Sequence, residues 1–276
     1  MSRTRLRHET HPDDVDRLDT AGLRERFLVD GLVPPEPGIG FAFIGYDRLV
    51  VAGIRCGDDP VDLAAPPELA AEYFCENREF VVVGIGGDAE VDVDGERFAL
   101  RPHDVLYVGR GSRRIRFSGP GARLFLASAP AHRDYPTRLV PLEQSIPREL
   151  GSAAESTERT VRQYVVPGLV DACQLTAGIT TLGLGSVWNT LPSHLHPRRT
   201  ELYFYFGMDE GGRVLHHCGP PDRSRSLVVA DEELVIAPPW SIHTGVGTQA
   251  YSFVWVMAGE NREYSDLEPV PIAAWR

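Results

Sequence analysis

Segments able to form strands recur along this chain about every ten residues, and turn-forming residues separate nearly all of them. Phe80-Val81-Val82-Val83, Ala89-Glu90-Val91-Asp92-Val93, Val105-Leu106-Tyr107-Val108 and Arg114-Ile115-Arg116-Phe117 form one such series. Leu202-Tyr203-Phe204-Tyr205-Phe206, Leu227-Val228-Val229, Leu234-Val235-Ile236 and Tyr251-Ser252-Phe253-Val254-Trp255 form another. With 27 Gly and 22 Pro among 276 residues as punctuation, there is little room for the long crossover helices of a parallel sheet. The spacing predicts an all-β chain built as sandwiches or barrels. One helix is expected over residues 18–28, where Leu23, Phe27 and Leu28 share a face. Residues 143–162, rich in Ser, Glu and Pro, read as a connector with at most a short helix.

A weak internal repeat divides the chain. Val93 to Val108 reads as a hairpin, a turn and a returning strand, and Asp231 to Pro238 closes the second half in a similar way. This predicts an N-terminal barrel at 1–130, a linker at 131–160 and a C-terminal barrel at 161–276; one large irregular sandwich is the alternative. Charge narrows the partners. With 28 basic and 39 acidic side chains the formal net charge is −11, which disfavours nucleic acid and anionic membrane. No apolar run reaches the roughly 18 residues of a membrane helix. The opening MSRTRLRHETHPDD lacks the apolar core of a signal peptide, so a cytoplasmic protein is expected. Cys56, Cys75, Cys173 and Cys218 stand far apart and read as four buried thiols.

Chemistry concentrates where histidine does. Five of nine histidines (His194, His196, His216, His217 and His243) lie within fifty residues. His194 and His196 are two apart and share one face of a strand. Glu201 has the wrong parity for a continuous strand, but Pro197 interrupts it, so Glu201 can open the next strand facing the same cavity. Tyr203 and Tyr205 then share that face, and Leu202, Phe204 and Phe206 take the other. Arg199, two before Glu201, also points inward. His243 arrives from a separate strand after Pro238-Pro239-Trp240. Three imidazoles and a carboxylate suit Zn, Fe, Mn, Co or Ni. In the N-terminal half Arg113 or Arg114 stands where His243 would, with no H-x-H before it, and that barrel is expected to be metal-free.

This wording resembles a known family. Gly185-Ser186-Val187-Trp188-Asn189-Thr190-Leu191-Pro192-Ser193-His194-Leu195-His196, then Arg198-Arg199-Thr200-Glu201-Leu202-Tyr203-Phe204-Tyr205-Phe206, is similar to the 5-keto-4-deoxyuronate isomerase family of the cupin superfamily. So are Pro239 to Thr248, Gly259-Glu260-Asn261, Leu18 to Arg24, Asp104 to Gly109, and Ala129-Pro130-Ala131-His132. The resemblance spans nearly the whole chain. It implies a cytoplasmic bicupin, two tandem cupin barrels, with one Zn2+ per subunit held by His194, His196, Glu201 and His243. It further implies a hexamer that interconverts 4-deoxy-L-threo-5-hexosulose-uronate and 3-deoxy-D-glycero-2,5-hexodiulosonate in pectin breakdown. One departure stands out: relatives tend to carry Glu-Thr-Arg-His where this chain has Arg223-Ser224-Arg225-Ser226.

Aldose–ketose isomerisation moves a proton between adjacent carbons through an enediolate. A metal stabilises the oxyanion and a general acid/base carries the proton. Tyr203, Tyr205 and Glu260, with His216 and His217, are the candidates for proton transfer; His216 and His217 face opposite ways, so only one of them can reach a cavity. Trp188, Trp240 and Trp255 read as core aromatics. Arg199, Arg225 and Arg198 are the candidates to clamp the uronate carboxylate bidentately. Two other functions fit the same ligands: the 5-deoxyglucuronate isomerase of inositol catabolism, and a non-catalytic sensor that holds a sugar acid through its metal. No DNA-binding helix pair or basic stripe favours the sensor. An iron dioxygenase would share the ligand type but consume O2.

Overall fold

The computed structural model describes residues 5–276. Four sheets account for the architecture. In the first half, a seven-stranded sheet runs in the order Arg5–Arg7, Gly38–Ile44, Leu49–Arg55, Arg123–Pro130, Arg78–Gly86, Val105–Val108, Arg138–Val140. It faces a four-stranded sheet made of Val61–Asp62, Ile115–Ser118, Ala89–Val93 and Glu96–Leu100. In the second half, a seven-stranded sheet is ordered Ile146–Leu150, Arg159–Val165, Thr176–Leu182, Ser252–Gly259, Arg199–Phe206, Leu234–Ala237, Leu28–Val29. Opposite lies a five-stranded sheet of Arg225–Val229, Val214–Cys218, His243–Gly247, Trp188–Leu195 and Glu268–Pro269. The result is the expected all-β pair of sandwiches.

The two seven-stranded sheets pack on each other, and this explains why their strands read as continuous apolar runs instead of alternating ones. In Arg78–Gly86, Phe80 and Val82 fill the first sandwich while Val81 and Val83 point to the second. In Arg199–Phe206, Tyr203 and Tyr205 enter the second sandwich while Leu202, Phe204 and Phe206 join the shared core. Phe125 and Phe204 stack across it, with centroids 4.3 Å apart and planes at 14°.

The chain crosses between the halves early. The helix Thr20–Phe27 is capped by Asp19, whose carboxylate accepts the Gly22 N–H at 2.8 Å. At eight residues it is too short to be stable alone, and Leu23 and Phe27 are buried in the second sandwich beside Tyr203 and Tyr205. Leu28–Val29 then pairs with Leu234–Val235 at that sheet's edge. Within the expected 1–130 unit, then, the helix and its strand pack with the C-terminal half. Likewise, Arg138–Val140 of the expected linker pairs with the first sheet. The connector reading of 143–162 needs correction: Ile146–Leu150 and Arg159–Val165 are paired strands. Ile146–Leu150 is an exposed edge strand, so it never acquires the alternating pattern that marks a half-buried one. Cys56, Cys75 and Cys218 are buried, but Cys173 is only half-buried.

Glu79 binds the halves together. Its carboxylate, fully buried, accepts the Tyr107 hydroxyl at 2.8 Å within the first sandwich. It also accepts the backbone N–H groups of Cys173, Gln174 and Leu175 at 2.7, 2.8 and 3.0 Å. Removing it leaves one buried and two partly buried amides without their acceptor, an orphaned buried amide costing about 1–3 kcal/mol. Glu79→Ala is expected to destabilise the protein by at least ~3 kcal/mol, with Glu79→Gln intermediate. The midpoint of urea unfolding measures this, and an unchanged midpoint would refute it.

Candidate metal centre

Pro197 separates the strands Trp188–Leu195 and Arg199–Phe206, and this break lets His194, His196 and Glu201 converge. His194 pairs directly with His243 across the five-stranded sheet. Ligand atoms of all four side chains lie within 4.8 Å of one another. Glu201 Oε2 is 2.9 Å from His196 Nε2 and 3.0 Å from His243 Nε2. The second of these lacks hydrogen-bond geometry, leaving a buried ring nitrogen aimed at a carboxylate without a partner.

The other ring nitrogens settle what the cluster suits. Nδ1 of His194, His196 and His243 faces the carbonyls of Pro192, Asp266 and Ser241 at 3.1, 2.7 and 3.3 Å. A tautomer protonated at Nδ1 donates to these carbonyls and turns the Nε2 lone pair inward, as a metal requires; His196 Nδ1 also lies 3.0 Å from Arg199 Nη2. Burial, aided by His243, pushes the His194 pKa down to about 3, so its imidazole is neutral. Burial opposes ionisation of Glu201, but His243 and His196 outweigh it and hold the carboxyl well below its usual range. A neutral His194 imidazole and an ionised Glu201, with His196 and His243 beside them, form a set that can hold a metal ion.

A cavity of about 190 Å³ opens on the cluster, large enough for one small molecule. Its polar wall includes Asn189, Thr190, Tyr203 and Arg159, and Phe253, Trp255 and Met257 supply apolar surface. Tyr203 accordingly reaches the cavity, its hydroxyl 3.2 Å from Thr190 Oγ1. Burial and the Glu201 charge hold the Tyr203 pKa well above the ordinary value. Tyr205 sits deeper, 2.7 Å from His216 Nδ1, and is not part of the cavity wall. His217 faces away and pairs with Ser226 at 2.9 Å. Trp255 is a wall residue, Trp240 packs edge-on to Phe27, and Trp188 donates to Thr244 at 3.1 Å.

The remaining residues singled out from sequence lie elsewhere. Arg198 and Glu260 hold each other in two hydrogen bonds, 2.9 and 2.6 Å, on the exposed surface. Arg225 donates to the Val15 and Leu18 carbonyls at 3.1 and 2.8 Å, tying the N-terminal segment to the second sandwich. Arg199 is inward, as its parity requires, yet it stands behind the cluster instead of lining the cavity. It donates to the carbonyls of Asn261, Glu263 and Asp266, and Asp266 is also the acceptor for His196. These engagements place Arg198, Arg199 and Arg225, the candidates to clamp the carboxylate, and Glu260, a candidate for proton transfer, away from the cavity wall. Sequence reasoning missed Arg159, Asn189, Thr190 and Tyr264. The inward parity of Arg159 with Val161 was a usable signal, hidden by the connector reading of its neighbourhood.

Arg199 is therefore a positioning residue for His196. Arg199→Ala is expected to weaken metal binding by about 10–100-fold, with Arg199→Lys failing to restore it because an ammonium cannot span three carbonyls. Competition with a chromophoric chelator measures the affinity, and wild-type affinity in the alanine variant would refute the role.

Comparison with known proteins agrees with the geometry. The family model described as the KduI/IolB family matches residues 56–269. The chain is 46% identical over 278 residues to the 4-deoxy-L-threo-5-hexosulose-uronate ketol-isomerase of Kineococcus radiotolerans, covering 98% of this chain and 99% of the relative. It is 40% identical to the protein of the same name from Dickeya dadantii, again covering 98% and 99%. An IolB-like protein from Salmonella typhimurium superposes with a TM-score of 0.69 at 15% identity, covering 89% of this chain and 97% of that one. Oxalate decarboxylase of Lactobacillus farciminis superposes with a TM-score of 0.60 at 12% identity over 88% of each chain. At such identities the solved structures establish a common cupin fold, while the full-length relatives establish kinship: this chain belongs to the KduI/IolB family.

Proposed function

We propose that this protein is a ketol isomerase interconverting 4-deoxy-L-threo-5-hexosulose-uronate and 3-deoxy-D-glycero-2,5-hexodiulosonate, acting in the cytoplasm on uronates released from pectin. The observation that carries the reading is a largely buried three-histidine, one-carboxylate cluster lining a small cavity, in a chain whose full-length relatives bear that enzyme's name. Zn2+, one per subunit, is the proposed ion, held by His194, His196, Glu201 and His243. A homohexamer is the proposed assembly, and tandem cupin units divided near residues 131–160 the proposed organisation.

The bound ion would polarise the substrate carbonyl and stabilise the enediolate oxygen. The chain's own residues enclose and orient the substrate. Phe253, Trp255 and Met257 exclude water and lower the local dielectric, strengthening each polar contact within. The raised pKa of Tyr203 keeps its hydroxyl protonated at neutral pH, so it presents Oη–H as a donor to a substrate oxygen. Thr190, within hydrogen-bond distance of that hydroxyl, fixes its direction. Tyr205 and His216 brace the ring pair from beneath.

Turnover followed by NMR on the deoxyhexosulose-uronate, beside 5-deoxyglucuronate, tests the reading. The first substrate is expected to be converted at least about tenfold more efficiently. The reverse preference would favour the inositol-side isomerase, and binding without turnover of either a sensor. Metal analysis should give about one ion per chain, lost in a His194→Ala/His243→Ala double variant. Full occupancy in that variant would refute the ligand set.

A further inference from the structure

A uronate needs a cation to receive its carboxylate, and the chain offers few. It contains no lysine, so its 28 basic side chains are all arginines. The three singled out from the sequence are engaged as described above. Arg198 is neutralised by Glu260, Arg199 is behind His196, and Arg225 is on the N-terminal segment. Apart from the two cluster histidines, one basic side chain lines the cavity, and it is Arg159.

Three features distinguish it. Arg159 is only 6% exposed, and among the described residues its guanidinium forms no ion pair. A buried charge without a counter-ion is costly and invites an anion. Second, it is held rigidly. Nη1 donates to the Thr157 carbonyl and Nη2 to the Leu191 carbonyl, both at 2.8 Å. Two of five N–H donors are thereby used, and the planar fork is fixed with the others available. Third, its position is between compartments. Arg159, Leu150, Leu191 and Pro192 border both the inner cavity and an outer groove of about 770 Å³. Of the cluster, only the inner cavity is lined by His194, His196 and Glu201.

We infer that Arg159 is the carboxylate anchor that fixes substrate direction. This rests on the uronate reading above. In 4-deoxy-L-threo-5-hexosulose-uronate the carboxylate stands at the opposite end of a six-carbon chain from the reacting aldehyde and its neighbouring hydroxyl. A guanidinium at the cavity's outer border receives the carboxylate and leaves the aldehyde end directed at the cluster. The carboxylate supplies the counter-ion that the buried guanidinium lacks. Burial lowers the Arg159 pKa, a displacement an anion would offset. Arg159 is thus a specificity residue. It selects acids over neutral sugars and carries no proton in the reaction.

The test compares the uronate with a neutral analogue whose carboxylate is replaced by a primary alcohol. In wild type, kcat/KM should favour the acid by about thirtyfold, the range of a charge-assisted pair. In Arg159→Gln that preference should collapse to within about threefold, mainly through KM for the acid, with metal content unchanged. Arg159→Lys should recover part of it and also serves if the glutamine variant misfolds. Equal losses on both compounds would mark a structural role and overturn the inference, as would a retained preference. Calorimetric binding of the uronate reads the anchor without turnover. Tight binding lost only in the variants supports it even if wild type fails to isomerise, in which case the isomerase reading alone falls.

Discussion

The strand Arg199–Phe206 is buried on both faces, and the rest of the molecule follows from that constraint. All eight of its residues are inaccessible. A strand with no solvated side has two interiors to satisfy, and alternation assigns them. Leu202, Phe204 and Phe206 build the core between the sandwiches, with Phe204 stacked on Phe125. Arg199, Glu201, Tyr203 and Tyr205 build the site. A slip of one residue would put a carboxylate between the sandwiches and Thr200 or Leu202 at the cluster. The shared core and the cluster therefore hold each other in register, and the carboxylate of Glu79 pins the same two halves from the opposite direction.

Around the cluster, backbone carbonyls do much of the positioning. Each histidine turns Nδ1 to a carbonyl from its own neighbourhood or from the 261–266 loop. Arg199 organises that loop by gathering its carbonyls. A guanidinium beside a cation site looks unfavourable, but its charge is met by a fan of carbonyl dipoles and by the nearby Asp266 carboxylate, 3.8 Å from Nε. Its placement behind His196 keeps it out of the cavity. The cavity thus presents a carboxylate, imidazoles, phenolic groups and, at the border, a guanidinium without an ion pair. That is a graded field, suited to a small acid with a reactive carbonyl at its other end.

Much of this was legible in the sequence, for identifiable reasons. The strand rhythm fixed the fold class because turns are local chemistry. His194, His196 and Glu201 could be joined because parity and a proline break are also local, and the same parity separates Leu202 from Tyr203. What parity cannot say is which partner waits on the inward side. Arg199 was correctly turned inward but given the wrong partner, since the carbonyls it meets belong to a loop sixty residues away with no periodicity. Arg198 and Glu260 are similarly distant in sequence, and their mutual neutralisation is invisible until the strands Arg199–Phe206 and Ser252–Gly259 lie side by side. Arg159 was lost because its exposed partner strand, Ile146–Leu150, reads as linker. The helix Thr20–Phe27 was found as an element, but its attachment to the second sandwich depends on a two-residue pairing too short to carry a pattern.

The two sandwiches also show what a polar interior demands. Arg78–Gly86 occupies in the first sheet the place that Arg199–Phe206 occupies in the second, each flanked by a long strand and by a shorter one. Both present apolar residues to the shared core. Inward, however, the first offers Phe80 and Val82, packed with Phe43, Phe74 and Phe117, where the second offers Glu201, Tyr203 and Tyr205. Burying that carboxylate and those hydroxyls works against stability unless every one finds a partner. Histidines and Thr190 supply some partners, and His216 has one ring nitrogen still unpaired. In the first sandwich the buried Arg78 and Glu79 are matched, Arg78 by Ser128 and Glu79 by Tyr107 and the backbone amides of residues 173–175. Because the two sandwiches share one apolar core, the half with the polar cluster draws stability from packing against the other.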